Sequence, residues 1–346
     1  PNSNTTTADN VSIPLQIGHY NIAEPIGSGS YSVVHRAVDV LTGNNIAVKI
    51  ISKSKMESEI DKIQFIREIQ ALSQLVHPNL IKFIDFLEDD NFYYVFQELN
   101  DGASLLQFLL ASDSGLSENL ARVIFKQLIT VLIFLHQNGI FHRDIKLDNI
   151  LINKQKVITL IDFGFCQFGN SQTLLKTICG SLHYLAPECI KGQGYRGDMS
   201  DIWSSGVVLF ALISRKTPFH GHNQLQLIQS ILDGQFHLPE TISPQCADLI
   251  KRILTVDPDL RINEQQIMVH PWMVINSFST PTKAHLHSSF IKKPQHETST
   301  ALSFGRYQTT RRSSFPTQNE CNRIVRSSYV GSCNQHPSSA LPTKKS

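Results

Sequence analysis

The sequence lacks the features of a disulfide-rich secreted protein, a zinc protein or a membrane-spanning protein. Its six cysteines form no CxxC pair and no His-rich metal spacing, so neither a disulfide framework nor a zinc site is indicated. No apolar run approaches the roughly 20 residues that span a bilayer, and the first residues contain no signal-peptide core. These absences predict a cytoplasmic protein with reduced thiols, with the nucleus as the alternative.

Net charge is also small, but the charge is unevenly distributed. The 31 Lys and Arg nearly balance the 29 Asp and Glu, which gives a net charge of +2. Residues 274–346 contain ten Lys and Arg and two Glu, which gives this part a net charge of +8. Residues 1–273 contain the other 21 Lys and Arg and 27 Asp and Glu, which gives a net charge of −6. An acidic body argues against a nucleic-acid partner, whereas a basic end can contact phosphates, membranes or acidic partners.

The 346-residue chain, 41% hydrophobic, is long enough to bury a large core. Residues 1–18 are rich in Ser, Thr and Asn and are predicted to be flexible. Residues 19–99 show alternating apolar patterns, with one helical pattern at 60–75. Residues 100–273 follow helical periodicity. Residues 274–346 have no lasting period and are predicted to be a disordered, basic Ser/Thr-rich tail.

The two periodicities divide the ordered part into two lobes. The alternating patterns predict strands at residues 20–26, 32–38, 46–51, 81–87 and 93–98. The helical patterns predict helices at residues 117–138, 198–213, 223–232, 244–254 and 264–269. In the longest helix Ser117 is the expected N-cap and Gly139 the expected terminator. We therefore predict an α+β protein with a small β-rich N-lobe, a larger helical C-lobe and a ligand cleft between them.

A glycine-rich segment lies between the first two predicted strands and contains Gly27, Ser28 and Gly29. Glycines let backbone N–H groups approach a phosphate closely, because no Cβ stands in the way. Taken alone, an ordinary hairpin turn explains this segment equally well. A dinucleotide-binding fold explains it less well, because a strand follows instead of a helix and Ser32 replaces the third glycine.

One lysine, Lys49, lies within an apolar predicted strand. A strand lysine is usually solvated, because burial of an unpaired charge is costly. Glu68, on the predicted helix at 60–75, lies on a face that could turn toward this strand. A Lys49–Glu68 ion pair would direct the ammonium group at nucleotide phosphates.

A dense group of polar residues follows the long predicted helix, and such a group is typical of a polar cleft because it would be costly in a core. Its members are His142, Arg143, Asp144, Lys146, Asp148, Asn149 and, eighteen residues after Asp144, Asp162, which begins the Asp-Phe-Gly sequence at 162–164. Five motifs thus follow one another along the chain. They are the glycine-rich segment, the strand lysine Lys49, the polar segment 142–149, the Asp-Phe-Gly sequence and the Ala-Pro-Glu sequence at 186–188. In this the sequence resembles the protein kinase family over about residues 20–273.

The resemblance implies the bilobal protein kinase fold, ATP and Mg²⁺ as cofactors, and Ser/Thr hydroxyls of proteins as acceptors. In having Lys146 two residues after Asp144, the sequence resembles the serine/threonine branch of the family. The implied catalytic residues are Asp144, Lys146, Lys49 and Asn149, with Asp144 orienting the substrate hydroxyl and accepting its proton. Asn149 and Asp162 would hold Mg²⁺ through oxygen atoms. The implied nucleotide site consists of Ile26, Gly27, Ser28, Gly29, Val34, Ala47, Lys49, Glu68, Gln97, Glu98, Asn100, Leu151 and Asp162.

The resemblance also implies control by phosphorylation. Thr177 lies between the Asp-Phe-Gly and Ala-Pro-Glu motifs and aligns with the phosphorylated threonine of AMP-activated-like kinases, with Arg143 as a phosphate partner. An upstream kinase is therefore an expected partner, and a plain loop threonine is the alternative. The chain resembles the calcium/calmodulin-dependent and AMP-activated-like group, whose members often prefer basic residues before the acceptor. In related kinases Glu188 pairs with the arginine that matches Arg261, and Asp201 braces the catalytic loop.

Two other function classes remain open at this point. A pseudokinase-type scaffold, which binds nucleotide without phosphate transfer, would require a defect in the catalytic set that the sequence does not contain. A pure interaction module leaves Asp144, Asn149 and Asp162 unexplained. We expect an active kinase that is a monomer, with no transmembrane segment.

Overall fold

The computed structural model describes most of the two predicted lobes, namely residues 13–28, 32–55, 65, 69, 73, 75–170 and 172–274. The prediction of a flexible start lies outside the described residues for positions 1–12. The prediction of a disordered tail lies outside them from position 275 onward. Gly29 and Glu68 of the predicted nucleotide site also lie outside, as does the side chain of Ser28.

A six-stranded antiparallel sheet forms the small lobe, in the order β1-β2-β3-β4-β6-β5. Its strands are β1 Gln16–Ile17, β2 Tyr20–Ser28, β3 Ser32–Asp39, β4 Asn45–Ser52, β5 Phe83–Glu88 and β6 Phe92–Glu98. The five predicted strands are confirmed to within about two residues. The extra strand β1 pairs with the start of β2, so the expectation that residues 1–18 are flexible is wrong for residues 16 and 17.

Strand β4 has two different faces because its side chains alternate. Ile46, Val48 and Ile50 are buried in a small cluster with Tyr94 and Phe96. The opposite face carries Ala47 and Lys49. Lys49 lies opposite Val34 of β3 and Val95 of β6, and Ala47 lies opposite Gln97. The strand register therefore places Val34, Ala47, Lys49 and Gln97 on one face of the sheet.

Eight helices of the described residues belong to the larger lobe. They are α1 Leu105–Leu110, α2 Glu118–Gln137, α3 Pro187–Lys191, α4 Gly197–Ser214, α5 Gln224–Asp233, α6 Pro244–Ile253, α7 Glu264–Met268 and α8 Pro271–Val274. The five predicted helices are confirmed. Helices α1, α3 and α8, with four to six residues each, were not predicted. In the small lobe Phe65, Ile69 and Ser73 are helical, as predicted for 60–75, but Leu75 is not.

The central helix α2 is bounded as the sequence predicts. The Ser117 side chain accepts a hydrogen bond from the Leu120 N–H, and Gly139 has a φ of +70° just beyond the end. Nine of its residues are buried, and it packs against α4, α7 and α8. By length and hydropathy alone this helix would suffice to cross a membrane. Its burial in the lobe explains that composition.

A partly buried carboxylate fixes the amino end of α2 to the base of the lobe. Glu118 Oε2 accepts hydrogen bonds from the Ser243 hydroxyl at 2.7 Å and from Trp272 Nε1 at 2.7 Å. Burial would raise the pKa of Glu118, but hydrogen bonds from Ser243 and Trp272 lower it below the ordinary value. Helices α2, α6 and α8 are thereby joined at a point distant in sequence from the predicted catalytic residues.

Seven short strands hold the segments that carry the predicted catalytic residues. They are β7 Ala103–Ser104, β8 Ile140–Phe141, β9 Ile150–Ile152, β10 Ile158–Leu160, β11 Gln167–Phe168, β12 Leu174–Leu175 and β13 Tyr195–Arg196. Strand β9 pairs with β7 and β10, β8 pairs with β11, and β12 pairs with β13. The loop between β8 and β9 and the loop between β10 and β11 are thus held side by side. With a β-rich lobe followed by a helical one, the predicted bilobal α+β fold is confirmed.

Candidate active site

The loop between β8 and β9, residues 142–149, is fixed by one buried carboxylate from α4. Asp201 Oδ2 accepts a hydrogen bond from the His142 backbone N–H at 2.8 Å, and Oδ1 accepts one from the Arg143 N–H at 2.7 Å. Arg143 has a φ of +65°, a conformation that costs a non-glycine residue free energy and so requires such support. The prediction that Asp201 braces this loop is confirmed.

Asp144 lies at the centre of this loop and is almost fully buried. One carboxylate oxygen, Oδ2, accepts hydrogen bonds from Lys146 Nζ at 2.6 Å and Asn149 Nδ2 at 2.8 Å. The other, Oδ1, accepts from the Ser181 N–H at 3.2 Å and lies 3.3 Å from the Ser181 hydroxyl. Three of the four predicted catalytic residues are therefore in direct contact, and their donors fix the orientation of the carboxylate.

Gly180 and Ser181 reach this carboxylate from a segment more than 30 residues later in the chain. Lys146 Nζ donates to the Ser181 hydroxyl at 3.1 Å as well as to Asp144. Gly180 has a φ of +93°, and a Cβ at this position would lie 2.6 Å from the Arg143 carbonyl oxygen. Only glycine permits such a close approach. The sequence places Gly180 in the segment of Thr177, but no sequence signal predicted its contact with the catalytic loop.

Lys49, the fourth predicted catalytic residue, joins the two lobes. Its Nζ lies 3.2 Å from Asp162 Oδ1 in the loop between β10 and β11. The Lys49 ammonium lowers the pKa of the Asp162 carboxyl below its ordinary value, against the opposing effect of burial. Asp162 has a φ of +65° and is, after Arg143, the second non-glycine residue of the site with a positive φ. The predicted Lys49–Glu68 pair stays a prediction, since Glu68 is outside the described residues.

Asn149 and Asp162 are brought together by the backbone, because the Ile161 N–H donates to the Asn149 carbonyl at 2.9 Å. The Asn149 amide nitrogen donates to Asp144, which leaves its amide oxygen for another partner. An amide oxygen and a carboxylate are hard ligands that suit Mg²⁺. No cluster of three or more His, Cys, Asp or Glu able to hold a metal occurs among the described residues. The donor set fits a Mg²⁺ ion held by two protein groups together with phosphate and water.

The predicted nucleotide residues that the structure describes are distributed over both lobes. Val34, Ala47 and Gln97 share the face of the sheet that carries Lys49, while Ile26 and Gly27 are exposed on β2. Leu151 lies half-buried on β9 of the larger lobe.

The segment between the lobes carries Glu98 and Asn100. The Glu98 N–H donates to the Lys82 carbonyl at 2.9 Å. The Asn100 side chain donates to the Thr159 hydroxyl and accepts from the Gly102 N–H, both at 2.8 Å. These bonds fix the connection between the lobes and orient the Asn100 side chain.

The segment of Thr177 is tied to the catalytic loop through Tyr195. The Tyr195 hydroxyl donates to the Thr177 carbonyl at 2.9 Å, and Arg143 Nη1 lies 3.4 Å from the same hydroxyl. Arg143 Nε also donates to the Phe165 carbonyl at 2.6 Å. Thr177 itself is exposed. Tyr195 was missed, because no sequence signal relates it to Thr177, eighteen residues earlier.

A buried ion pair supports the same region from the side of α3. Arg261 Nη1 and Nη2 lie 2.7 and 2.9 Å from the two oxygens of Glu188. Arg261 also donates to the Met199 carbonyl at 2.7 Å and lies over the Trp203 ring. The predicted Glu188–Arg261 pair is confirmed.

Comparison with known proteins agrees with this geometry. Residues 20–273 match the family described as protein kinase domain. Serine/threonine-protein kinase SIK1 of Rattus norvegicus is 38% identical over 270 residues, which cover 78% of this chain and 34% of the relative. SIK1 of Mus musculus is 39% identical over 261 residues, 75% of this chain and 33% of the relative. Serine/threonine-protein kinase SIK2 of Gallus gallus is 39% identical over 261 residues, 75% and 32% respectively. The chain thus spans about a third of the length of these relatives.

Proposed function

The chain belongs to the protein kinase family, and from that premise we propose that it is an active serine/threonine protein kinase that transfers the γ-phosphate of ATP to protein hydroxyl groups. The observation that carries this proposal is the position of Asp144, whose carboxylate is oriented by Lys146, Asn149 and Ser181. Phosphoryl transfer asks the protein mainly to position reactants and to neutralise developing charge.

Each residue of the site has a task in this reaction. Asp144 accepts a hydrogen bond from the substrate hydroxyl and takes its proton as the new P–O bond forms. Lys146, which bridges Asp144 and Ser181, places a positive charge beside the transferred phosphoryl group. Lys49 neutralises the phosphates that remain on the nucleotide. When bound, Mg²⁺ supplies further neutralisation of phosphate charge, and the Asp162 carboxylate and the Asn149 amide oxygen would hold it.

The pseudokinase alternative has no comparable support. It would require a missing catalytic group, yet Lys49, Asp144, Asn149 and Asp162 are all present in the sequence. The relatives are named serine/threonine-protein kinases. We further propose substrates with basic residues before the acceptor, a monomeric state and a cytoplasmic location, with the nucleus as the alternative.

Incubation of the purified chain with γ-labelled ATP and a basic peptide is expected to label serine or threonine and leave tyrosine unlabelled. Label incorporation should fall to background when EDTA removes Mg²⁺ and return when Mg²⁺ is added in excess. Phosphoamino-acid analysis of the peptide reads the acceptor, and calorimetry with ATP reads nucleotide binding. Nucleotide binding without any label transfer would support the pseudokinase alternative instead.

We also propose that phosphorylation of Thr177 by an upstream kinase raises activity. Thr177 is exposed, and its backbone is already joined through Tyr195 to Arg143, so a phosphate there has a guanidinium nearby. Phosphorylated wild type is expected to be about tenfold more active than the unphosphorylated protein, the effect of one charge-assisted hydrogen bond of ~1.5 kcal/mol. Quantified phosphate occupancy by mass spectrometry, plotted against transfer rate, measures this effect.

Two substitutions at the same position provide the comparison. Thr177→Ala should lose the activation, and Thr177→Ser, which keeps an acceptor hydroxyl, should retain it. Equal activation of wild type and Thr177→Ala by the same upstream kinase would refute the role of Thr177.

A further inference from the structure

His136, in the last turn of α2, lies between two carboxylates from different helices. Its Nδ1 is 2.5 Å from Glu264 Oε1 of α7, and its Nε2 is 2.9 Å from Asp201 Oδ2 of α4. The three side chains are nearly removed from solvent, with exposed fractions of 8% for His136, 9% for Glu264 and 0% for Asp201. Neither His136 nor Glu264 belongs to any motif of the sequence.

The geometry determines the charge on the ring. An ionised carboxylate can only accept hydrogen bonds, so both ring nitrogens must donate, and only the imidazolium form does so. Burial by itself would lower the pKa of His136, but the hydrogen bonds to Asp201 and Glu264 outweigh it and raise the pKa to about 9. The His136 cation in turn lowers the pKa of Glu264 against the opposing effect of burial. Arg196, which pairs with Asp198, adds a second positive charge near Glu264.

This arrangement reaches the reaction centre through Asp201. The oxygen that contacts His136, Oδ2, also accepts the hydrogen bond from the His142 N–H, and Oδ1 accepts the one from the Arg143 N–H. Asp144 is the next residue in the chain. The orientation of a single carboxylate therefore links the His136 ring to the backbone of the catalytic loop.

Glu264 is not needed merely to pair Asp201. A neutral His136 could still donate its Nε2–H to Asp201, and a buried carboxylate costs free energy that an apolar residue would not. What Glu264 adds is a fixed positive charge on the ring and a fixed ring plane. Both hold Asp201 in the one rotamer that serves two backbone N–H groups.

We propose that Glu264 is a positioning residue for phosphoryl transfer, which holds His136 against Asp201 and thereby holds the backbone of the loop that carries Asp144 and Asn149. The inference rests on the proposed kinase activity. It assigns to α7, a short helix that carries none of the predicted catalytic or nucleotide-binding residues, a share in the alignment of the catalytic groups.

Glu264→Gln keeps the size of the side chain and removes its charge, so it tests this role directly. We expect kcat to fall about tenfold, as for a small misplacement of a catalytic group, with the KM for ATP changed less than twofold. In wild type the loss of kcat at high pH should occur near pH 9, where His136 loses its proton. In Glu264→Gln the loss should begin about two pH units lower, since one of the two carboxylates that raise the pKa of His136 is gone.

An independent readout is the ¹⁵N NMR spectrum of the His136 ring. At pH 8 wild type should show the imidazolium form and Glu264→Gln the neutral form. Glu264→Asp keeps the charge with a shorter reach, so it should lower kcat while leaving the pH dependence of wild type in place. This variant also serves as the test if Glu264→Gln does not fold.

Glu118→Gln is the matched control. It removes the charge of a partly buried carboxylate on α2, the helix that carries His136, and this carboxylate contacts Ser243 and Trp272. Thermal unfolding should show a loss of stability for both Gln variants, whereas kcat and its pH profile should remain those of wild type in Glu118→Gln. A neutral His136 in wild type at pH 7, or wild-type kcat and pH profile in Glu264→Gln, would overturn the positioning role. Wild type without transfer activity would instead refute the proposed function.

Discussion

Replacing Asp144 by Asn is expected to lower the rate of phosphate transfer about a thousandfold while nucleotide affinity changes little. The carboxylate accepts hydrogen bonds from Lys146, Asn149 and Ser181, and in the reaction it must also accept the substrate proton. An amide has only one accepting atom and would set its NH₂ group against donors that already point at this position. The labelled-phosphate assay measures the rate, and calorimetry with ATP measures the affinity.

Two further variants test whether the loss of activity in Asp144→Asn is specific to the active site. Asp90→Asn, an equivalent change at an exposed turn residue, should keep the wild-type rate. Lys49→Met should abolish transfer as well, and should also weaken or misorient the bound nucleotide because the ammonium group beside Asp162 is removed. If wild type, Asp144→Asn and Lys49→Met all gave the same signal, the activity would come from a contaminating kinase.

Replacing Arg261 by Met is expected to lower the free energy of unfolding by about 4 kcal/mol. The guanidinium is fully buried and makes a two-point ion pair with Glu188, so its removal leaves a largely buried carboxylate without its partner. The Met199 and Thr255 carbonyls also lose a donor. Urea unfolding at pH 7, followed by circular dichroism, measures the loss.

The matched comparison is Arg252→Met, which breaks an ion pair with Asp248 in which the two side chains are 60% and 49% exposed. Such exposed pairs contribute less than ~1 kcal/mol. Adding Glu188→Gln to Arg261→Met should recover part of the lost stability, because the unpaired charge disappears. Equal losses for Arg261→Met and Arg252→Met would contradict the importance of burial.

The main elements of the fold were predictable from the sequence wherever a period lasts for two turns or more. Strand β4 alternates between two faces, and helix α2 has both its N-cap and its terminating glycine. Strands of two or three residues, such as β8 and β9, could not be predicted, because their existence depends on partners supplied by the tertiary fold. Strand β1 was missed because a polar lead-in obscures a two-residue strand.

The catalytic centre was predictable from local spacing only where its residues are neighbours in the sequence. Lys146 and Asn149 lie within five residues of Asp144, so a local motif contains them. The contacts of Gly180 and Tyr195 with distant segments arise only from folding. Asp201 could be identified by resemblance, but His136 and Glu264, which complete its surroundings, are 65 and 63 residues away from it in the chain and carry no recognisable spacing.

The apolar character of α2 has a consequence for the synthesis of this protein on the ribosome. During synthesis the helix leaves the ribosome well before the helices that cover it, since α4 begins 60 residues after its end and α8 more than 130 residues after it. In that interval a helix whose mean hydropathy reaches 1.4 over 18 residues lacks the later helices that pack against it. Helix α2 is therefore the segment where chaperones would be expected to bind the nascent chain, and where a stalled or truncated chain would aggregate.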